Sequence, residues 1–364
     1  MNGDKRGRAV ALPVIAGQRL PMSDLLAAEN ALLTRRFDDA LEAARRSLAF
    51  APELLGAHWI VAEALSGLRR HAEAAEAYQA LLAVCPHNPG LVAEVAKALH
   101  AAGRASEAVV FQRRISNQSS TVTGAVNEMV MLWSAGLFRE SAVIADRLVD
   151  KAVDKGSIGA QVRLVRALCR FELGDPVGAL EDLDEDLRFL SSATSSGLTG
   201  ILQRRGRSAD DTAARNVRAD ILAALGRAEE AAAAYEEALQ TIDALLCMDP
   251  RNAELRGRRA YTLLGLGRPD RALTEAKRAV KRDPTDALAW RSIGRAHLAL
   301  GNPATAVEAL EIARGYLPER VEIRFDLARA LVAAGHSTEA GPHLSWAVER
   351  SPRLALMPSM AASP

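Results

Sequence analysis

The residues with the clearest binding chemistry in this sequence are three arginines near its C-terminal end. Arg291 and Arg295 are four residues apart, so on a helix they would share one face. Arg329 follows Arg295 by a further 34 residues. Guanidinium groups form strong charge-assisted hydrogen bonds with carboxylates. The three arginines therefore predict a basic patch for an acidic side chain or a C-terminal carboxylate, the alternative being that Glu322 and water satisfy them.

The sequence lacks the common motifs of catalysis and metal binding. The sequence contains no GxxxxGK[ST], GxGxxG, HExxH or GxSxG pattern. None of its seven histidines has a second histidine or a cysteine at metal-ligand spacing. The acidic run of residues 181–186 favours a solvated helix face over a cation site. We therefore predict no enzymatic activity, no metal and no cofactor, and we interpret the three cysteines as small, partly buried hydrophobic residues.

Composition limits the class of protein. The chain has 364 residues, 49% of them hydrophobic and 25% charged, with a formal net charge of +1. These values are typical of a folded protein and argue against a nucleic-acid partner and against an acidic disordered chain. Aromatic residues are only 4%, so the core must consist largely of Ala, Leu and Val. No apolar run approaches the ~18 residues of a membrane helix, so we predict no membrane insertion and a cytoplasmic location.

A repeat positions the arginines. In residues 287–320, counted from Ala287, small residues stand at positions 8 and 20, Gly301 at 15 and Pro318 at 32. This pattern resembles the tetratricopeptide repeat, a unit of 34 residues made of two helices and a turn. The neighbouring segments that begin at Ala253 and Val321 keep the same frame without gaps.

Nine repeats of this kind cover residues 21–354. They begin at Pro21, Leu55, Pro89, Val122, Ala160, Thr212, Ala253, Ala287 and Val321. The resemblance implies an all-α fold, a right-handed superhelical solenoid of stacked helix–turn–helix repeats. We predict an N-terminal array over 21–190, a flexible insert over 191–211, a C-terminal array over 212–354 and a tail over 355–364. Residues 1–20 are predicted to form an extended arm rather than a signal peptide, because their apolar stretch is short and contains Pro13.

The resemblance also implies where a partner binds. In this family the first helices line a concave groove, and positions 2, 5, 9 and 12 of each repeat point into it. The aromatic and arginine residues at these positions are the predicted partner-binding residues. They are Trp59, Trp133, Phe171, Tyr261, Arg291, Arg295, Phe325 and Arg329. The pattern departs from the chaperone-terminus clamp of some members, which needs Lys and Asn at positions 5 and 9, so no chaperone partner is predicted.

Two functions follow from this pattern. The first is a non-enzymatic interaction scaffold, an adaptor that binds a peptide or helix of a partner protein in the groove. The second is a self-assembling array that associates through the arm or through the last repeat, since the tail is too short to form a capping helix. An enzyme and an RNA-binding array are weaker alternatives, because the groove shows neither a catalytic set nor regularly spaced basic residues.

Overall fold

A computed structural model describes residues 21–118, 121–150, 157–192 and 212–356. These residues form eighteen α-helices and one 3-10 helix, without a β-strand. The first eight helices are α1 Pro21–Leu33, α2 Phe37–Phe50, α3 Leu55–Gly67, α4 His71–Val84, α5 Pro89–Ala101, α6 Ala105–Gln118, α7 Val122–Ser134 and α8 Phe138–Asp150. The next five are α9 Ser157–Glu172, α10 Pro176–Ser192, α11 over 212–224, α12 Ala228–Met248 and α13 Ala253–Gly265. The last five are α14 Pro269–Arg282, α15 Ala287–Ala299, α16 Pro303–Tyr316, α17 Val321–Ala333 and α18 Ser337–Arg350, followed by the 3-10 helix Pro352–Leu356.

The repeat frame explains these helix boundaries. Of the eight odd-numbered helices whose bounds the structure describes in full, seven begin at the first residue of a predicted repeat, and α9 begins at Ser157, three residues before Ala160. α12 runs for 21 residues and ends at Met248, directly before Asp249-Pro250. The predicted all-α class and the stacked helix pairs are therefore confirmed.

Small residues bring the two helices of each repeat together. Position 8 is Ala28 in the first repeat and Ala328 in the last, and position 20 is Ala40 and Ala340; all four are buried. The two exceptions to alanine in the fourth repeat, Met129 and Ser141, are buried as well, and the Ser141 hydroxyl donates to the Met129 carbonyl at 2.8 Å. A hydroxyl at this position is thus satisfied by the facing helix.

The turn between paired helices needs a left-handed residue at position 15. In seven repeats this residue is glycine, for example Gly267 with φ of 66°. In the first two repeats it is Arg35 and Arg69, with φ of 58° and 60°. A residue with a side chain is disfavoured in this conformation by about 1–2 kcal/mol, so the first two turns store strain that the other seven avoid.

The chain separates into two compact units, Met1–Val84 and Cys85–Pro364. The N-terminal unit holds α1 to α4 and the C-terminal unit holds the remaining helices. This division differs from the predicted one at residues 191–211. Apart from the last two residues of α10, that predicted insert lies outside the described residues, as do the arm over 1–20 and the tail beyond 356.

Within the C-terminal unit the last repeat packs against repeats four and five. Val321 and Phe325 of α17 share a hydrophobic core with Met129 of α7 and Val162 of α9, and Leu354 of the 3-10 helix joins it. Residues of α17 and of the 3-10 helix, at the end that we expected to be uncovered, are therefore buried by the chain itself, whereas α18 buries only Ala340 and Ala347. Trp346 of α18 lies between two arginines, with Arg350 4.0 Å and Arg324 4.2 Å from the centre of its ring.

The interpretation of the acidic run as a solvated helix face is wrong for Asp182. Asp182, in the acidic run assigned to a solvated face, is buried and paired with Arg166 and Arg170 of α9. Its neighbour Asp184 accepts from Arg218 at 2.7 Å. Both carboxylates face arginines of first helices, and Asp182 is buried whereas the Asp184 side chain remains 29% exposed.

Candidate functional site

Position 9 of four consecutive repeats forms the candidate site, which we call the position-9 row. It consists of Asp220 on α11, Tyr261 on α13, Arg295 on α15 and Arg329 on α17. Because successive first helices lie side by side, residues at one repeat position become neighbours. Along the array the row therefore begins with an acidic residue, Asp220, and ends with two basic residues, Arg295 and Arg329.

Both carboxylate oxygens of Asp220 accept hydrogen bonds from tyrosine side chains. The hydroxyls of Tyr235 and Tyr261 each donate to one of its carboxylate oxygens. Burial, followed by the nearby Asp220 charge, raises the pKa of both tyrosines above its usual value, so both remain protonated donors. The N-terminal unit repeats half of this arrangement, since Tyr78 donates to Glu63 at 2.8 Å and Trp59 packs edge-on against Tyr78 at 5.6 Å.

The three predicted arginines have different partners. Arg291 is largely buried and donates to Asp326 at 2.6 Å, with side-chain exposures of 15% and 5%. Arg329 is 47% exposed and reaches the same carboxylate only at 3.8 Å. Arg295 lies 5.3 Å from the centre of the Tyr261 ring, and among the described residues no carboxylate lies within ion-pair distance of it. Arg291 is thus neutralised, whereas Arg295 and Arg329 retain most of their capacity to bind an anion.

A second acid reinforces the neutralisation of Arg291. Glu322 pairs with Arg320 at 3.1 Å. Burial works against the ionised form of Glu322, but Arg320 and Arg291 outweigh it and hold the pKa of that carboxyl below its usual value. The direct partner of Arg291 is nevertheless Asp326, at position 6 of the next repeat, which sequence reasoning missed. The signal was the spacing of 35 residues between them, one repeat plus one residue.

The predicted aromatic residues of the C-terminal unit are engaged by the chain itself. Phe325 is buried in the core shared with α7 and α9. The guanidinium of Arg320 lies 3.9 Å from the centre of the Trp133 ring, and that of Arg353 lies 4.3 Å from the centre of the Phe171 ring. The structure therefore places none of these three rings on an open surface.

The described ranges contain no group of three or more histidine, cysteine or acidic side chains arranged to hold a metal ion. Cys169 is buried, which raises the pKa of its thiol to about 12, whereas Cys85 is half-buried and Cys247 is exposed. The interpretation of the cysteines as partly buried hydrophobic residues therefore fails for Cys247. No helix in the described part of the chain is long and apolar enough to cross a membrane.

Comparison with known proteins identifies the family. The model of the tetratricopeptide repeat family matches residues 25–89, 200–245, 258–315 and 291–355, more than half of the chain. The chain therefore belongs to the tetratricopeptide repeat family, whose members generally mediate protein–protein interactions and are typically not catalytic.

Individual relatives are similar over parts of their length. Tetratricopeptide repeat protein 33 of Xenopus laevis is 28% identical over 167 residues, which are 44% of this chain and 62% of that protein. The Hsp70-Hsp90 organizing protein of Triticum aestivum is 31% identical over 124 residues, which are 34% of this chain and 21% of that protein. The chain thus spans less than two thirds of either relative. A crystal structure of a tetratricopeptide repeat protein from Parabacteroides merdae has 12% sequence identity and a TM-score of 0.43, covering 85% of this chain and 98% of that one.

Proposed function

We propose that the protein is a non-enzymatic scaffold that binds a peptide or helix of a partner protein along the position-9 row. The observation that carries this proposal is the excess of arginine at the end of the row. Asp326 lies 2.6 Å from Arg291 and 3.8 Å from Arg329, and no carboxylate of the described residues lies within ion-pair distance of Arg295. An acidic side chain or a C-terminal carboxylate of the partner would supply the missing negative charge.

The Arg295 side chain is preorganised to bind a carboxylate of the partner. Its guanidinium is oriented by the Tyr261 ring, and that ring is fixed in turn by the hydrogen bond to Asp220. A guanidinium held in one orientation loses less entropy when it binds a carboxylate. Each charge-assisted hydrogen bond formed there would contribute about 1.5–3 kcal/mol.

The test uses charge reversal at the two available arginines only. Arg291 is left unchanged, because its removal would leave Asp326 buried without a partner and destabilise the fold. The variant Arg295→Glu/Arg329→Glu is compared with Arg271→Glu/Arg282→Glu, which makes the same change in charge at two exposed residues of α14. Both variants and the wild type are applied to an array of peptides with acidic and neutral C-termini.

The expected result is that the wild type and the α14 variant retain acidic peptides in preference to matched amidated or neutral ones, and that the position-9 variant loses this preference. Equal retention by all three proteins would refute the position-9 row as the binding site. Leu354 is buried against the fourth and fifth repeats, so this residue offers no surface for the self-assembling alternative.

A further inference from the structure

The residues that follow α18 bind to the end of α9 as a short peptide would. The Ser351 hydroxyl donates to Oε2 of Glu172 at 2.5 Å. Arg353 donates to both oxygens of the same carboxylate, Nη2 to Oε1 at 2.6 Å and Nε to Oε2 at 3.1 Å. Leu354 is buried in the core beside them. Four consecutive residues thus supply a hydroxyl, a bidentate guanidinium and an aliphatic anchor.

The receiving site is formed by α9 and requires a cation. Glu172 is only 3% exposed, and a carboxylate buried to that extent is costly unless it is paired. The Phe171 ring provides a flat surface for a guanidinium, and Arg353 lies 4.3 Å from its centre. Only the planar guanidinium of arginine can stack on an aromatic ring and donate two hydrogen bonds to one carboxylate at the same time.

The bound segment forms the last four residues of the ninth predicted repeat and follows the last α-helix, α18. Residues 352–356 form only a short 3-10 helix. Within it the Leu354 amide donates a hydrogen bond to the nearby Ser351 carbonyl. The contact is made almost entirely by side chains, between positions about 180 residues apart in the sequence. One turn at the edge of a domain can leave its site by local unfolding without loss of the repeats.

We infer that the Phe171–Glu172 site is a recognition site for a linear peptide of another protein that carries serine, any residue, arginine and leucine in succession. The segment Ser351–Leu354 occupies this site in cis and excludes such a peptide until it is displaced. The inference goes beyond the proposed function, because the site lies on α9 and involves no residue of the position-9 row.

Fluorescence anisotropy of a labelled peptide with the sequence of residues 349–356 tests the inference. The full-length variant Arg353→Ala/Leu354→Ala frees the site, and we expect it to bind the peptide. The wild type should bind the peptide at least tenfold more weakly, because its own segment competes at an effective concentration on the order of millimolar. A peptide with the change Arg353→Glu should not bind, and adding Glu172→Gln to the variant should abolish binding of the native peptide.

Two results would overturn the inference: equal affinity of the wild type and the folded variant, or equal affinity for the native and the Arg353→Glu peptides. If the variant does not fold, amide hydrogen exchange of the wild-type protein tests the inference instead. Millimolar native peptide should accelerate exchange of the Ser351 and Leu354 amides severalfold, and a scrambled peptide should not. Identical exchange with both peptides would refute the site. Neither readout depends on Arg295 or Arg329, so failure here leaves the proposed function untouched.

Discussion

The pair formed by Arg291 and Asp326 allows a sharp test of the electrostatic argument. The change Asp326→Asn keeps the shape of the side chain and removes its charge. Both side chains are largely buried, with the guanidinium 2.6 Å from the carboxylate. Removing one partner of a buried ion pair costs about 3–5 kcal/mol, and one retained hydrogen bond to the amide oxygen restores about 1 kcal/mol. We expect the free energy of unfolding to fall by about 2–4 kcal/mol.

The matched control is an exposed pair of the same chemistry. Arg36 and Asp39 lie 3.0 Å apart with side-chain exposures of 62% and 59%, so Asp39→Asn should cost about 1 kcal/mol or less. A second control, Arg291→Met/Asp326→Leu, removes both charges and should cost less than Asp326→Asn alone, because no charge remains buried without a partner.

Urea unfolding provides the measurement. It is followed by circular dichroism and by tryptophan fluorescence, and free energies are compared only where the two transitions coincide. The reasoning is refuted if Asp326→Asn costs no more than Asp39→Asn, or if the double variant is less stable than Asp326→Asn. Either result would mean that Glu322 or solvent, and not Asp326, stabilises the Arg291 charge.

Three further predictions concern single residues. Gly267→Ala should lower the free energy of unfolding by about 1 kcal/mol in a urea titration, because the left-handed turn strains any Cβ although no other atom would contact it. Burial and the charge of Arg320 lower the pKa of His100. The contribution of His100 to stability is therefore complete above the pKa of about 6.5 that it has in the unfolded chain, and it is lost as the pH falls below that value. The stability difference between wild type and His100→Gln should shrink between pH 7 and pH 5, and a constant difference would contradict this. In the native protein a maleimide should modify the exposed Cys247 rapidly and the buried Cys169 only after unfolding, as read by peptide mass spectrometry.

The repeat frame could be read from the sequence because it rests on local rules. A small residue at positions 8 and 20, a glycine at 15 and a proline at 32 each act within one pair of helices. The helix starts at Pro21, Leu55 and Ala287 coincide with the first residues of predicted repeats for this reason. Where the frame is degenerate, as at Ala160, the prediction misses the helix start by three residues.

The partners of the functional side chains could not be read in the same way. The frame places Arg291 and Arg295 on one inner face, but it does not say that Asp326 neutralises only the first of them. Likewise Phe171 occupies an inner position, yet its partner Arg353 lies 182 residues away, after the last α-helix of the ninth repeat. Such contacts depend on the rotation between successive repeats. This rotation accumulates from many small differences in helix-packing angle, and no single repeat encodes the total.

The core that the last repeat shares with the fourth and fifth repeats has a consequence for folding kinetics. In an open array each repeat interacts only with its neighbours, so unfolding can begin at either end and spread stepwise. In the unit Cys85–Pro364, residues of the last repeat share one core with those of the fourth and fifth, across about 200 positions of sequence. Forming such a contact requires closure of a very long loop, which raises contact order and slows folding. This unit should therefore fold late and lose its structure in one cooperative step, unlike a chain of independent repeats.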